Sequence, residues 1–189
     1  MIRLTVKQLF LLKMTLGVVI ANAAGRTLAD GISFSGRWDG AFIYSFLPLT
    51  CIVVMQWILL SDYLPKWWMI TGLIGCVISA SVMGTINFYV PDQIFRLIIR
   101  ELNIFNNTLM GILVALPQWF VLKHKRGYMW VLANGIGWLL SAAYRNSIFY
   151  QQHDFWRISI SETSFIPVGL SLSLYLYSYV YKVNTQEIH

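Results

Sequence analysis

Long apolar stretches separated by short polar segments organise the chain. Two of them, 41–60 and 67–90, contain no charged residue. Because about 20 apolar residues in a helix cross the hydrocarbon core of a bilayer, each predicts a transmembrane helix. The same pattern predicts further spans at about 8–28, 108–122, 128–150 and 163–181. Charged residues are mixed with apolar ones over 91–107, which predicts an amphipathic helix lying in the membrane interface.

Composition supports a membrane domain over a water-soluble one. Hydrophobic residues make up 57% of the 189 residues, charged residues only 12%, and the mean hydropathy is +0.61. Soluble domains carry about 25% charged residues, so a compact soluble fold could not cover its surface with this set. We therefore predict one all-α integral membrane bundle of about six transmembrane helices over residues 1–189.

The first apolar segment has two interpretations. Ala21-Asn22-Ala23 resembles a signal-peptidase site, which would make the segment a cleaved signal peptide. A retained first span is favoured, because the basic region before it is long and the charge-free stretch, 14–24, is short.

A block near the middle of the chain is repeated. Eight residues of 56–80 recur 62 positions later, at 118–142, without a gap: Gln56, Trp57, Leu60, Trp68, Ile74, Gly75, Ser79 and Ala80. This predicts an internal duplication of a helical hairpin, with copies at about 41–90 and 103–152. Two such hairpins run in the same direction and are related by an axis along the membrane normal.

Charge predicts the orientation. One set of turns and tails is purely basic apart from Asp62 and Glu187, and includes the turn 123–126. Arginines on the opposite side are nearly balanced by acidic residues. By the positive-inside rule both termini face the cytoplasm, in a bacterial inner membrane or a thylakoid. The net charge of +6 therefore indicates topology before any anionic partner, and no nucleic-acid motif is present.

Arginines mark a candidate ligand site on the outer face: Arg96, Arg100, Arg145 and Arg157. A guanidinium binds a carboxylate or phosphate through two hydrogen bonds, so these residues could line an anion-binding vestibule. The alternative is that they form local ion pairs or contact lipid phosphates.

Polar and small residues within the spans are candidates for helix contacts: Asn22, Gln56, Gly72, Gly75, Gln118, Asn134 and Gly137. Buried amides need partners in a low-dielectric setting, which neighbouring backbone, another glutamine or a ligand could provide. The glycines predict close helix approach, and the two asparagines predict tight crossings with an interhelical hydrogen bond.

Tryptophans gather at the predicted cytoplasmic depth: Trp57, Trp67, Trp68, Trp119 and Trp130. They predict an aromatic belt at the membrane interface. A pigment or other cofactor bound among them is the alternative, and bound lipid is a further possibility. No other cofactor is indicated.

Catalytic and metal-binding patterns are missing from the sequence. His124, His153 and His189 are predicted to be too far apart to hold one metal ion. No acidic residue falls inside a predicted span, which argues against a proton relay. We therefore expect a protein without enzymatic activity, although the sequence does not decide this.

The half-repeat resembles a group of uncharacterised multispanning bacterial proteins, frequent in cyanobacteria. The resemblance covers about residues 45–145 and is carried by the pattern Gly111…Gln118-Trp119…Leu122…Trp130…Gly137-Trp138. It implies a helical layout and no particular activity. The first copy departs from the pattern, with Ser61-Asp62 in place of the basic turn and Cys76 at the position that corresponds to Trp138. In size and helix number the chain is also similar to the substrate-binding subunits of energy-coupling-factor transporters, a likeness of fold alone.

Two functions remain open. The first, favoured by the sequence, is an accessory or scaffold subunit that binds other membrane subunits through small-residue helix faces and the basic turn. The second is a solute-binding component of a transporter or channel. No large polar cluster is visible within the predicted spans, and this is why the first is preferred.

Overall fold

The computed structural model describes residues 5–33, 36–90, 92–122, 127–149 and 165–186, without the side chains of 37, 92–103, 146–149 and 179–186. Over these residues the chain is helical and contains no strand. The helices are α1 (Val6–Asp30), α2 (Arg37–Leu60), α3 (Trp67–Tyr89), α4 (Asp92–Val121), α5 (Tyr128–Phe149) and α6 (Ile166–Gln186). The predicted all-α bundle is confirmed.

Local chemistry explains where α1 begins. The backbone amide of Gln8 donates to the Thr5 hydroxyl at 3.3 Å, and the Thr5 amide donates to the Gln8 side-chain carbonyl at 2.9 Å. This capping box satisfies donors that the first turn of a helix leaves without partners. The helix then runs through the whole predicted span, past Lys7 and Lys13, to Asp30.

The fourth helix corrects one prediction. Residues 91–107 were expected to form a separate interfacial helix, but α4 is a single helix of 30 residues from Asp92 to Val121. No Pro or Gly lies between Asp92 and Gly111, so nothing in the backbone interrupts the helix where the side-chain pattern changes. Helix α2 also begins earlier than predicted, at Arg37, so the first loop is short.

The six helices form a closed ring in which each packs against its neighbours in the sequence and α6 packs back onto α1. Contacts at both ends of α6 show that it runs antiparallel to α1. Phe165, at its start, lies beneath the guanidinium of Arg26, and Tyr177, near its end, contacts Phe10. Glycine contacts and ring pairs show the same antiparallel arrangement around the rest of the ring. We call the end of the ring at which α2 ends and α3 begins the turn end.

Apolar side chains cover both the interior and the outside of the ring. Large residues such as Ile20, Ile58, Ile136 and Leu174 are exposed on the outer surface. Such a surface is stable against lipid and unfavourable in water. Four helical segments are long and apolar enough to cross a membrane: Val6–Asp30, Trp38–Leu60, Trp67–Tyr89 and Ile104–Val121. The chain is therefore a membrane protein, while the orientation of its termini stays a prediction.

Candidate polar site inside the helix ring

Two tryptophans meet in the interior near the turn end. Trp68 of α3 and Trp130 of α5 are both fully buried, with ring centroids 4.9 Å apart at an interplanar angle of 60°. Since α4 separates α3 from α5 in the ring, this contact crosses the interior. The ring of Tyr175 in α6 lies 5.6 Å from Trp130 and extends the aromatic cluster. Edge-to-face rings at these distances stabilise the packing by about 0.5–1.5 kcal/mol per pair.

This position corrects the prediction of an aromatic belt for these two residues. Adjacent tryptophans behave differently, because Trp67 is 65% exposed and Trp68 is fully buried. In the second copy Trp119 is partly exposed, whereas Trp130 is buried. A helix turns about 100° per residue, so two neighbouring residues at a helix start can face lipid and interior respectively.

Gln118 joins α4 to α5 beside these rings. The indole nitrogen Nε1 of Trp130 donates to Oε1 of Gln118 at 2.9 Å, and both residues are buried. Because only the oxygen of the amide can accept this hydrogen bond, the bond fixes which way the amide is turned. The amide nitrogen Nε2 therefore lies on the other side, against α3. A methyl group at Gly72 would lie 2.7 Å from it.

Two buried N–H groups at this place lack an acceptor. Over the part of the chain that the structure describes, neither Nε1 of Trp68 nor Nε2 of Gln118 has a hydrogen-bond partner. Gln56 precedes Trp68 by twelve residues, the same spacing that separates Gln118 from Trp130. It is buried too, yet it does not accept from Trp68. The hydrogen bond of the second copy thus has no counterpart in the first.

Further polar oxygens are buried within the ring. Among the described residues, the hydroxyls of Thr15 and Ser79 have no hydrogen-bond partner. Ser79 lies about three helical turns beyond Trp68 along α3, and Thr15 packs against Gly169 of α6. Unpartnered polar groups therefore occur at more than one depth of the interior.

The predicted small-residue contacts lie between helices of this chain. Methyl groups at Gly72, Gly75 and Gly137 would lie 2.5 Å from Cγ1 of Val53, 2.6 Å from the carbonyl oxygen of Val114 and 3.1 Å from Cα of Val168. Along α3 the buried small residues are Gly72, Gly75, Cys76, Ser79, Ala80 and Gly84. They receive α2 on one side and α4 on the other. This face of α3 is therefore covered within the monomer.

The two asparagines have different surroundings. Asn22 is fully buried in α1. Asn134 is buried in α5, where its Nδ2 donates at 3.0 Å to the carbonyl of Trp130 on the same helix. This nitrogen therefore does not form the interhelical bond that the sequence predicted. Its backbone still lies at a tight crossing, since a methyl group at Gly111 would lie 3.0 Å from the Asn134 carbonyl oxygen.

Only one of the four predicted arginines has a described side chain. Arg145 is half-buried near the end of α5 and has an interaction partner. Arg96 and Arg100 lie on α4 within the range whose side chains are not described, and Arg157 lies outside the described residues. The anion-binding vestibule therefore stays a prediction, as does the role of the turn 123–126.

Metal-binding clusters are not found among the described residues: no group of three His, Cys, Asp or Glu side chains lies close enough to hold an ion. The three histidines fall outside the described ranges. Cys51 and Cys76 are free thiols on α2 and α3.

Comparison of the chain with protein-family models, with curated proteins and with solved structures finds no match. The two resemblances drawn from the sequence therefore stay predictions. Sequence reasoning missed the hydrogen bond between Trp130 and Gln118, although one signal was available. The twelve-residue spacing of Gln and Trp occurs in both copies and places the two side chains at the same end of an antiparallel hairpin.

Proposed function

We propose that the protein is a solute-binding component of a membrane transport system, with its site in the polar interior of the helix ring. The observation that carries this proposal is the set of buried polar atoms without partners, which includes Trp68 and Gln118. A buried donor or acceptor left without a partner costs about 1–3 kcal/mol. Such groups in the interior of a membrane protein therefore favour a polar occupant.

Their hydrogen bonds argue against a purely structural role for the polar residues. Polar side chains that join helices do so by bonding across the interface. Instead, Asn134, Ser171 and Ser173 each donate to a carbonyl of their own helix. Trp130 with Gln118 is a bond that does connect two helices. The hydrogen bonds that these three side chains donate thus do not join helices.

The accessory-subunit hypothesis loses one of its supports. It rested partly on small-residue faces that could receive a partner helix, and the face of α3 is covered by α2 and α4. Its other support, the basic turn 123–126, lies outside the described residues. An accessory role is therefore kept as the alternative that co-purification of another membrane protein would support.

The test is purification in a mild detergent, followed by size-exclusion chromatography and thermal unfolding. A solute that binds the folded state at 100 times its Kd stabilises it by about 2.7 kcal/mol. We expect the chain to elute without partner subunits and to unfold at a higher temperature with at least one small polar solute. Stoichiometric co-purification of another membrane protein, with no solute raising the unfolding temperature, would support the accessory role instead.

A further inference from the structure

We infer that Trp68 and Gln118 form a binding site for an uncharged hydrogen-bond acceptor, namely an oxygen of water or of a small carbonyl compound. The assignment of a small carbonyl compound as the ligand rests on the proposed function, whereas the existence of the site does not. Both side chains are at least nine-tenths buried, and each presents a nitrogen-bound hydrogen without an acceptor among the described residues.

The two donors lie beside the same stretch of α3. Nε2 of Gln118 approaches α3 at Gly72, since a methyl group there would lie 2.7 Å from it. Gly72 follows Trp68 by four residues, about one helical turn. The Trp130 ring contacts Trp68 and also donates to Gln118, so one side chain touches both residues that carry the donors. The proposed acceptor oxygen lies between α3, α4 and α5, on the side of Gln118 that faces α3.

Neither donor is free to find another partner by turning. Rotating the Gln118 amide would place its NH2 group against the indole N–H of Trp130 and break a 2.9 Å hydrogen bond. The Trp68 ring is packed edge-to-face on Trp130 and is fully buried. The site is thus preorganised, and an entering acceptor does not have to order it first.

The chemistry of the site selects a neutral acceptor. Its donors are an indole and a primary amide, both uncharged, and the buried polar residues of the described chain carry no charged group. An anion held by neutral donors alone would be buried without a compensating charge, at a cost far above that of a polar neutral molecule. A carbonyl, or water, accepts two hydrogen bonds without that penalty.

Indole N–H signals provide a direct test. The full chain is labelled with ¹⁵N-tryptophan in detergent micelles, and Trp68 and Trp130 are assigned with Trp68→Phe and Trp130→Phe. Acetamide is the probe, and acetate, of similar shape but negatively charged, is its matched control. We expect the Trp68 indole proton to resonate downfield, as a hydrogen-bonded group does. We also expect it to shift saturably with acetamide and not with acetate.

Variants at adjacent positions separate this site from a general effect on stability. Trp68→Phe should abolish any rise in unfolding temperature with acetamide. Trp67→Phe, which changes a neighbouring ring that is 65% exposed, should retain it.

The outcomes distinguish the two sources of the oxygen. A hydrogen-bonded Trp68 signal that acetamide leaves unchanged, with magnetisation transfer from water, supports the site with water as its occupant and counts against a carbonyl solute there. The proposed function is then decided separately, by whether any other small polar solute raises the unfolding temperature of the purified chain. A Trp68 signal at the position of an unbonded indole, unmoved by acetamide, would overturn the inference, and so would an equal response to acetate.

Discussion

Replacing Gly75 with alanine tests how closely the ring is packed. A methyl group at this position would lie 2.6 Å from the carbonyl oxygen and 2.8 Å from Cα of Val114. Both distances are well below the 3.4 Å at which ordinary van der Waals contact begins. The obstacle is the backbone of α4, which cannot rotate out of the way as a side chain can. The two helices must therefore separate.

The magnitude follows from two opposing effects. Overpacking an interface costs about 1–3 kcal/mol, whereas alanine is favoured over glycine within a helix by about 1 kcal/mol. Because the obstacle at Gly75 is backbone, we take the upper part of the overpacking range, about 2–3 kcal/mol, which leaves a net loss of about 1–2 kcal/mol. For a chain of this size each kcal/mol lowers the unfolding temperature by about 2–4 °C, so Gly75→Ala should unfold about 2–8 °C below the parent protein.

Unfolding is measured in detergent with a thiol-reactive dye, in a Cys51→Ser background. Cys76 is fully buried, so the dye reaches it only when the ring opens. Gly135→Ala is the control, because a methyl group there would meet only the side chain of Ile112 at 3.2 Å. The control should match or exceed the stability of the parent.

The predicted duplication extends this test to the second copy. Gly137 corresponds to Gly75 and meets the backbone of α6 at Val168 as well as the hydroxyl of Ser171. Gly137→Ala should therefore lose stability comparable to Gly75→Ala. The packing argument is refuted if Gly75→Ala is as stable as the parent, or if the Gly135 control loses as much. A silent Gly137→Ala would show that the two copies are not equivalent.

Three further predictions concern other parts of the molecule. Trp130→Phe should destabilise the fold by about 1–3 kcal/mol, because it leaves a buried acceptor on Gln118 without a partner. A double-mutant cycle with Gln118→Met should reveal coupling, and additive losses would exclude it. In intact cells Asp62→Cys should resist a membrane-impermeant maleimide while Gly36→Cys reacts; the reverse labelling would invert the predicted orientation. Tyr44→Phe removes a 2.6 Å hydrogen bond to the Asp30 carboxylate at the exposed end of α1. The free energy of unfolding, measured by thermal unfolding, should therefore change by less than about 1 kcal/mol.

The structure also bears on how the repeated block is interpreted. Corresponding positions have similar environments: Gln56 and Gln118 are both buried, as are Trp68 and Trp130. These positions are therefore alike in burial, while the duplication itself stays a prediction. The indole of Trp68 nevertheless lacks the partner that Trp130 has. Burial is therefore the same at these corresponding positions, while their hydrogen bonds differ.

The sequence alone determined the class of structure and most helix boundaries. A charge-free run of about 20 residues must satisfy its backbone internally when it lies in lipid, and a helix does so whatever its neighbours are. The length and composition of each segment were therefore sufficient to predict that it forms a helix. Sequence reasoning placed a boundary inside α4 because the side-chain pattern changes there, although the backbone has no reason to break.

Tertiary structure decided which faces meet. Trp67 and Trp68 are the same type of residue at adjacent positions, yet only Trp68 is buried inside the ring. That difference depends on where α4, α5 and α6 lie. Likewise, Gln118 accepts from Trp130 on the next helix, while its Nε2 lies against Gly72 of α3 without an acceptor among the described residues. The contact of Gln118 with α3 joins residues far apart along the chain, and a one-dimensional pattern does not encode it.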